Sequence, residues 1–99
     1  MPGDDAPRSA RFDMTVTPAD FARQIGQAFP GLRQDAAGRY AGDDCGTSWA
    51  IELQPAAPTR IGPIVLERWT VGVDLDSPDA RARGRWWARF WGYVQRGGG

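Results

Sequence analysis

Apolar and polar residues alternate along three stretches of the chain, 11–16, 47–54 and 69–75. Because successive side chains of a strand point to opposite faces, this alternation predicts three half-buried β-strands. The stretch 33–46 is rich in turn-forming residues, and a short additional strand is expected there around 39–41. Gly42 to Gly46 is expected to form the turn that follows it.

The segment before the last strand does not alternate. Ile64, Val65 and Leu66 are apolar on both faces, which predicts either the start of a buried strand or an exposed patch. Gly62-Pro63 marks a bulge or a bend. Residues 55–59 contain two prolines and predict a loop.

The first predicted helix begins at Pro18 and ends near Phe29. Thr17 is suited to the N-cap and Pro18 to the first helical position. Pro30-Gly31 should terminate the helix. Its apolar face repeats at helical spacing and consists of Phe21, Ile25, Ala28, Phe29 and Leu32.

The second predicted helix spans Ser77 to Arg96, with Ser77 as N-cap and Pro78 at the first helical position. The glycines 97–99 should end it. It contains five of the eleven aromatic residues and five of the twelve arginines. We expect it to supply the largest side chains of the core.

This helix divides into faces at 100° per residue. The apolar face is made of Trp86, Trp87, Phe90, Trp91, Tyr93 and Val94. A basic face opposite is made of Arg81, Arg85, Arg89 and Arg96. A seam of small residues between them is made of Ala80, Gly84, Ala88 and Gly92. Arg83 lies among the aromatic residues, where it is suited to a cation–π contact with Trp86 or Trp87.

Two interpretations of the aromatic face and the small-residue seam stay open. In the first, the aromatic face and the seam both belong to the core, where the helix meets a crowded sheet. In the second, part of each surface contacts a second chain. The exposure of Trp86, Trp87, Trp91 and Tyr93 in the folded monomer decides between them.

These elements predict an α+β fold in the order β-α-(β)-β-β-α. A small antiparallel sheet of three to four strands would carry two helices on one face. We assign residues 1–10 to a disordered N-terminal tail, 11–96 to a single domain and 97–99 to a flexible tail.

Composition changes this picture little, but the distribution of charge adds to it. The 99 residues have zero net charge and no lysine. From Ser77 onward five arginines face one acid, whereas the preceding part has seven arginines and eleven acids. The chain is therefore basic at one end and acidic elsewhere. The high content of Arg, Ala, Gly and Pro is typical of GC-rich bacterial coding sequences.

Catalytic or cofactor chemistry is not indicated. The chain has no histidine, the usual general base and a frequent zinc ligand. Cys45 follows two aspartates, which disfavour a reactive thiolate. As the single cysteine it cannot form an internal disulfide, and this predicts a cytoplasmic protein. We expect no metal, no cofactor and no enzymatic activity, although the aspartates at 43, 44, 74, 76 and 79 form two acidic clusters.

One local pattern resembles a known family. Gly62-Pro63, followed by 69–73 (WTVGV), is similar in spacing to the Gly-Pro loop and the following strand of double-stranded RNA-binding domains. The resemblance covers about a dozen residues and implies an α-β-β-β-α fold that binds duplex RNA. The chain departs from that family in having Val65 where its loop has histidine and no lysine motif at the last helix.

The leading hypothesis is a small non-enzymatic protein-interaction or accessory domain, with a homodimer as one form of the interaction. The alternative is RNA or other nucleic-acid binding through the basic face. A peripheral membrane helix and an enzyme are weaker alternatives. The candidate partner-binding residues are Arg81, Arg83, Arg85, Arg89, Trp86, Trp91, Tyr93 and Arg96.

Overall fold

The computed structural model describes residues 6–94. Two helices and five strands follow one another as β1 (Ser9–Thr15), α1 (Pro18–Ala28), β2 (Arg33–Gln34), β3 (Tyr40–Asp44), β4 (Thr47–Ile61), β5 (Ile64–Asp76) and α2 (Ala80–Tyr93). The α+β class is confirmed. The interpretation of the chain ends, including Arg96 and the glycines 97–99, lies outside the described residues.

All five strands belong to one antiparallel sheet in the order β1-β5-β4-β3-β2. The expectation of three to four strands missed β2, which is two residues long and pairs with the start of β3. Asp35 forms the turn between them, because its carboxylate accepts the N–H groups of Ala37 and Arg39, both at 2.9 Å. So short a strand has no periodicity that a sequence pattern can reveal.

The turn between β3 and β4 is tighter than expected. β3 continues to Asp44, and the turn consists of Cys45 and Gly46. Both have positive φ, +55° and +72°, as a two-residue turn of type I′ requires. The predicted five-residue turn starting at Gly42 is therefore wrong.

β4 continues through 55–59, where a loop was predicted. Its register against β5 shifts between the pairs Ala56–Arg68 and Thr59–Leu66, which accommodates one additional residue as a β-bulge. The strand therefore reaches Ile61 in spite of its prolines.

The prolines are tolerated because the ladder needs no hydrogen bond from them. The Leu75 N–H donates to the Arg8 carbonyl, so odd-numbered residues of β5 direct their backbone groups toward β1. Pro55 lies opposite Trp69, an odd-numbered residue, and its nitrogen therefore points away from β5. Pro58 lies within the bulge, where the ladder is interrupted.

The start of α1 confirms the sequence-based assignment. Thr17 is the N-cap, and its side-chain oxygen accepts the Asp20 N–H at 3.2 Å. Pro18 occupies the first helical position, where its missing N–H costs nothing. Phe29 is the C-cap, one residue before Pro30.

α2 begins two residues later than predicted. Asp79, not Ser77, is the N-cap, and its carboxylate accepts the Arg81 N–H at 3.0 Å. Ser77 instead accepts the Asp79 N–H at 3.2 Å and stabilises the turn before the helix. The charged cap at Asp79 also suits the positive end of the helix dipole.

Residues 6–10 belong to the packed domain, so the boundary predicted after residue 10 moves toward the N-terminus. Ala6 is buried, and β1 begins at Ser9. The Nε of Arg83 donates to the Ala6 carbonyl, and the indole nitrogen of Trp87 donates to the Pro7 carbonyl, both at 3.0 Å. α2 thereby holds this segment in place.

Trp86 is the centre of the core. Its side chain is fully buried and stacks on Phe29 and Phe90, with ring centroids 5.1 and 5.2 Å away. Trp87 meets it edge-on at 5.0 Å, and Trp49 lies 5.8 Å away. This cluster joins α1, α2 and β4.

Ring contacts connect the sheet with each helix. Tyr40 pairs with Ile51, and Trp49 precedes Ile51 by two residues, so Tyr40 and Trp49 share a side of the sheet. Phe21 of α1 lies 6.0 Å from Tyr40, and Trp86 of α2 packs against Trp49.

The indole of Trp49 lies across Gly42, its partner in the register. A Cβ at Gly42 would come within 2.8 Å of the indole carbon Cζ2. Since Trp49 is held in the core, we expect Gly42→Ala to lower the free energy of unfolding by about 1–3 kcal/mol. Urea denaturation measures the change.

The control is Gly26→Ala in α1, where the added Cβ has no atom of the described residues within 4 Å apart from its chain neighbours and the backbone of the same helix. This variant should raise the free energy of unfolding by about 0.5–1 kcal/mol, because alanine is the better helix former. Equal effects of the two substitutions would contradict the packing of Trp49 on Gly42.

Candidate functional site

The hairpin of β4 and β5 extends beyond the rest of the sheet. β1 pairs with β5 from Arg68 to Asp74, and β3 pairs with β4 from Thr47 to Ile51. Past these limits, no other strand of residues 6–94 pairs with the hairpin. We call the distal part of the hairpin, residues 54–67, the arm; its first residues, 54–56, lie opposite 68–70 of β5.

The arm ends in an apolar tip. Gly62 and Pro63 form a two-residue turn, with a φ of +57° at Gly62. Three aliphatic side chains beside this turn are more than half exposed: Ile61 at 58%, Ile64 at 55% and Val65 at 53%. Of the two interpretations of 64–66, the exposed patch therefore holds for Ile64 and Val65.

The tip is apolar on both faces of the hairpin. Ile61 and Ile64 pair with each other, so their side chains lie on one face. Val65 is paired with Arg60 and points to the other face. An apolar side chain on each face fits insertion between two surfaces better than contact with one flat surface.

Two side chains of β5 at the base of the arm, Arg68 and Thr70, are hydrogen-bonded to Asp13 of β1. Arg68 donates to one carboxylate oxygen of Asp13 at 2.6 Å, and the Thr70 hydroxyl donates to the other at 2.7 Å. Arg68 also reaches the Thr59 hydroxyl of β4 at 3.5 Å. The hydrogen bond from Thr70, and then that from Arg68, hold the pKa of Asp13 below its ordinary value of 3.8.

Part of the basic face of α2 is used within the protein. Arg89 donates to the Ala28 carbonyl at the end of α1, and its guanidinium lies 6.0 Å from the Phe29 ring centroid and 5.8 Å from that of Tyr93. Arg81 and Arg85 are exposed. Arg96 lies outside the described residues.

Arg83 has a different role from the one expected. It donates to the carbonyls of Ala6 and Ser77, at 3.0 and 2.6 Å. Within residues 6–94, the cation–π contacts that the structure gives are those of Arg89. Arg83 therefore fastens the N-terminal segment to α2.

The aromatic candidates separate into core and surface residues. Trp86 has no exposed surface, and Trp87 is also buried. Trp91 and Tyr93 are 36% and 44% exposed. They lie on opposite flanks of α2, because Tyr93 contacts Arg89 on the side of α1 whereas Trp91 packs 5.1 Å from Phe12 of β1.

The C-terminal half of the small-residue seam of α2 faces outward. Ala88 and Gly92 are exposed, and apart from its chain neighbours and the backbone of the same helix, no atom of residues 6–94 lies within 4 Å of a Cβ built on Gly92. The sheet therefore makes no close approach at Gly92, and the seam is not explained by core packing there.

Three aspartates of the two acidic clusters accept side-chain hydrogen bonds. Asp43 accepts the Ser48 hydroxyl, Asp44 accepts the indole N–H of Trp49 at 2.8 Å, and Asp74 accepts the Ser9 hydroxyl at 2.8 Å. Among the described residues, no three carboxylate or thiol groups converge as metal ligands. In the same part of the chain, neither helix is long and apolar enough to cross a membrane.

Comparisons of the chain with protein-family models, curated proteins and solved structures give no match. The local resemblance to double-stranded RNA-binding domains is not supported by them. The architecture also differs from the α-β-β-β-α order, since five strands are present and Gly62-Pro63 is the tight turn of a long hairpin.

Sequence reasoning placed the candidate site on α2 and missed the arm. Its signal was present in the run Ile64-Val65-Leu66, apolar on both faces, next to a Gly-Pro turn. Because 55–59 was assigned to a loop, this run had no partner strand, and the hairpin was not recognised.

The division of the aromatic candidates generates a prediction about stability. Trp86→Ala should lower the free energy of unfolding by about 3–5 kcal/mol, because it opens a cavity between Phe29 and Phe90. Trp91→Ala on the same helix should cost far less. Thermal and urea unfolding of both variants check this, and similar losses would show that the two residues do not differ as core and surface.

The hydrogen bonds from Thr70 and Arg68 to Asp13 lead to a prediction about how stability depends on pH. The lowered pKa of Asp13 means that the ionised carboxylate stabilises the folded state above pH 3.8 and that this contribution disappears as pH falls through the folded-state pKa. In Thr70→Val the pKa of Asp13 should move up toward 3.8. NMR titration of the carboxyl carbon measures it, and an unchanged pKa would contradict the role of Thr70.

Proposed function

We propose that the protein is a non-enzymatic protein-binding domain that inserts the apolar tip of its arm into a cleft of another protein. The observation that carries the proposal is the exposure of Ile61, Ile64 and Val65 together at the end of a protruding hairpin. Exposed aliphatic side chains grouped in this way are typical of interaction sites.

The energetic argument rests on desolvation. Burying apolar surface is favourable by roughly 25 cal/mol per Å², and in the isolated domain more than half of each of these side chains stays in water. A cleft that receives both faces of the hairpin would cover Ile61 and Ile64 on one side and Val65 on the other. Arg60 and Glu67 flank the tip and suit a polar rim around the contact.

The rest of the fold fits the role of a support for the arm. We infer that α1 and α2 cover one face of the sheet, since the ring contacts of both helices reach Tyr40 and Trp49 on the same side. The hydrogen bonds of Asp13 with Arg68 and Thr70 then join β1 to the base of the arm. Such a base reduces the conformational entropy that binding would otherwise cost.

A binding role is favoured over catalysis by the chemistry of the chain. No histidine is present, and three of the clustered aspartates accept hydrogen bonds from Ser9, Ser48 and Trp49.

Nucleic-acid binding remains the alternative proposal, supported by the exposure of Arg81 and Arg85 on α2. Fewer side chains support this proposal than the sequence suggested, because Arg83 and Arg89 of the same helix donate to backbone carbonyls within the protein. Duplex RNA at low salt is the test, since phosphate contacts are strongest there. Binding lost in Arg81→Glu and retained in the arm variant below would favour this alternative.

The arm proposal predicts the effect of one triple substitution. Proteins retained by the immobilised domain are identified, the partner is purified, and its affinity is measured by calorimetry. Ile61→Thr, Ile64→Thr and Val65→Thr together should weaken binding at least about tenfold, because the tip loses apolar surface. Threonine keeps the β-branched shape that suits a strand, so thermal unfolding should change little.

The matched control is Tyr93→Thr, which removes an exposed aromatic side chain from α2. This variant should bind as tightly as the unmodified protein. Loss of binding in Tyr93→Thr with unchanged affinity in the arm variant would overturn the proposal.

A further inference from the structure

The outer edge of β1 is open to strand pairing. β1 pairs with β5 alone among the described strands, and it contains no proline. The hydrogen bond from Leu75 to the Arg8 carbonyl sets the alternation, so even-numbered residues of β1 direct their backbone groups toward β5. The N–H and C=O groups of the odd-numbered residues 9, 11, 13 and 15 therefore point outward.

The sequence of this strand, SARFDMT, is complementary to itself when it is reversed. In an antiparallel pair of two copies with the twofold axis at Phe12, Arg11 of one copy opposes Asp13 of the other. Ser9 opposes Thr15 in the same way. Opposite charges directly across two strands attract each other, so Arg11 adds to the hydrogen bonds that Asp13 receives from Arg68 and Thr70 within its own copy, and the pairing contains this attraction twice.

Charge also selects the register. Outward-pointing groups alternate, so an antiparallel pairing keeps its hydrogen bonds only when the strands shift by an even number of residues, and the smallest such shift is two residues. Such a shift moves the axis to Arg11 or to Asp13 and places that residue opposite itself. Like charges directly opposite are destabilising, which leaves the register centred on Phe12.

An aromatic surface accompanies the same edge on the helix side of the sheet. Trp91 is 36% exposed, and its ring centroid lies 5.1 Å from that of Phe12. Arg89 contacts α1 through the Ala28 carbonyl, and Trp91 is two residues further along α2, about 200° around the helix. Trp91 thus lies on the flank away from α1, where a second copy across the axis would cover it.

We propose that the protein forms a symmetric dimer in which β1 pairs antiparallel with β1 of a second copy around Phe12. The two five-stranded sheets then join into one continuous sheet. Zero net charge imposes no overall repulsion between the copies. Because the same edge is used by both copies, the assembly closes at two and leaves both arms available.

The first test is sedimentation equilibrium of the full chain. The unmodified protein should behave as a dimer of twice 10.8 kDa. Arg11→Glu places like charges opposite each other at both symmetric positions and should raise the dimer dissociation constant at least about tenfold. Arg81→Glu makes the same charge change on the exposed face of α2 and should leave the constant unchanged.

The second test is a disulfide that only this register permits. In a Cys45→Ser background, Ser9→Cys and Thr15→Cys are prepared separately. Mixed and oxidised, they should form a cross-linked dimer, because directly opposite residues lie about 5.5 Å apart. Neither variant alone should cross-link, since the two copies of residue 9 are separated by roughly 20 Å.

A protein that stays monomeric at all concentrations overturns the proposal. So does a dimer that is insensitive to Arg11→Glu and gives no cross-link in the mixture, because its interface is then elsewhere. Circular dichroism of each variant separates loss of the dimer from loss of the fold. The arm is tested by its own triple variant and its partner, so either proposal can fail without the other.

Discussion

The stacking of Trp86 between Phe29 and Phe90 is the interaction on which the rest of the structure depends. Phe29 ends α1, Trp86 and Phe90 belong to α2, and Trp49 of β4 packs against the same indole. A side chain of this size, fully buried, sets the distance between both helices and the centre of the sheet. Its indole nitrogen has no hydrogen-bond partner among the described residues, so shape and dispersion rather than polar contacts hold it.

The periphery depends on hydrogen bonds instead. α2 holds the N-terminal segment through Arg83 and Trp87, and Asp13 joins β1 to the base of the arm through Arg68 and Thr70. The two surfaces that we propose for binding other molecules are the apolar tip of the arm and the outer edge of β1. The surfaces lie on different strands, which is why a dimer through β1 is compatible with a partner bound at the arm.

Much of the fold was predictable because its signals are local. The alternation around Phe12 and Val71 and the cap at Thr17 gave β1, the middle of β5 and the start of α1 correctly. The errors arise where tertiary context overrides a local rule. Pro55 predicts a loop, yet in the sheet its nitrogen points away from the paired strand and no hydrogen bond is lost. For the same reason the arm, and with it the candidate site, was not recognised.

The sequence by itself determined the class of the fold, the two amphipathic helices and the concentration of aromatic side chains in α2, since each follows from periodicity and composition. Only the tertiary structure decided which of those side chains are core and which are surface. Trp86 and Trp91 have the same chemistry on one helix, but only Trp86 points between α1 and the sheet. The order of the strands was likewise a tertiary matter, because it places Arg11 and Asp13 on an edge that no other strand of residues 6–94 covers and leaves Ile64 and Val65 beyond the reach of β1.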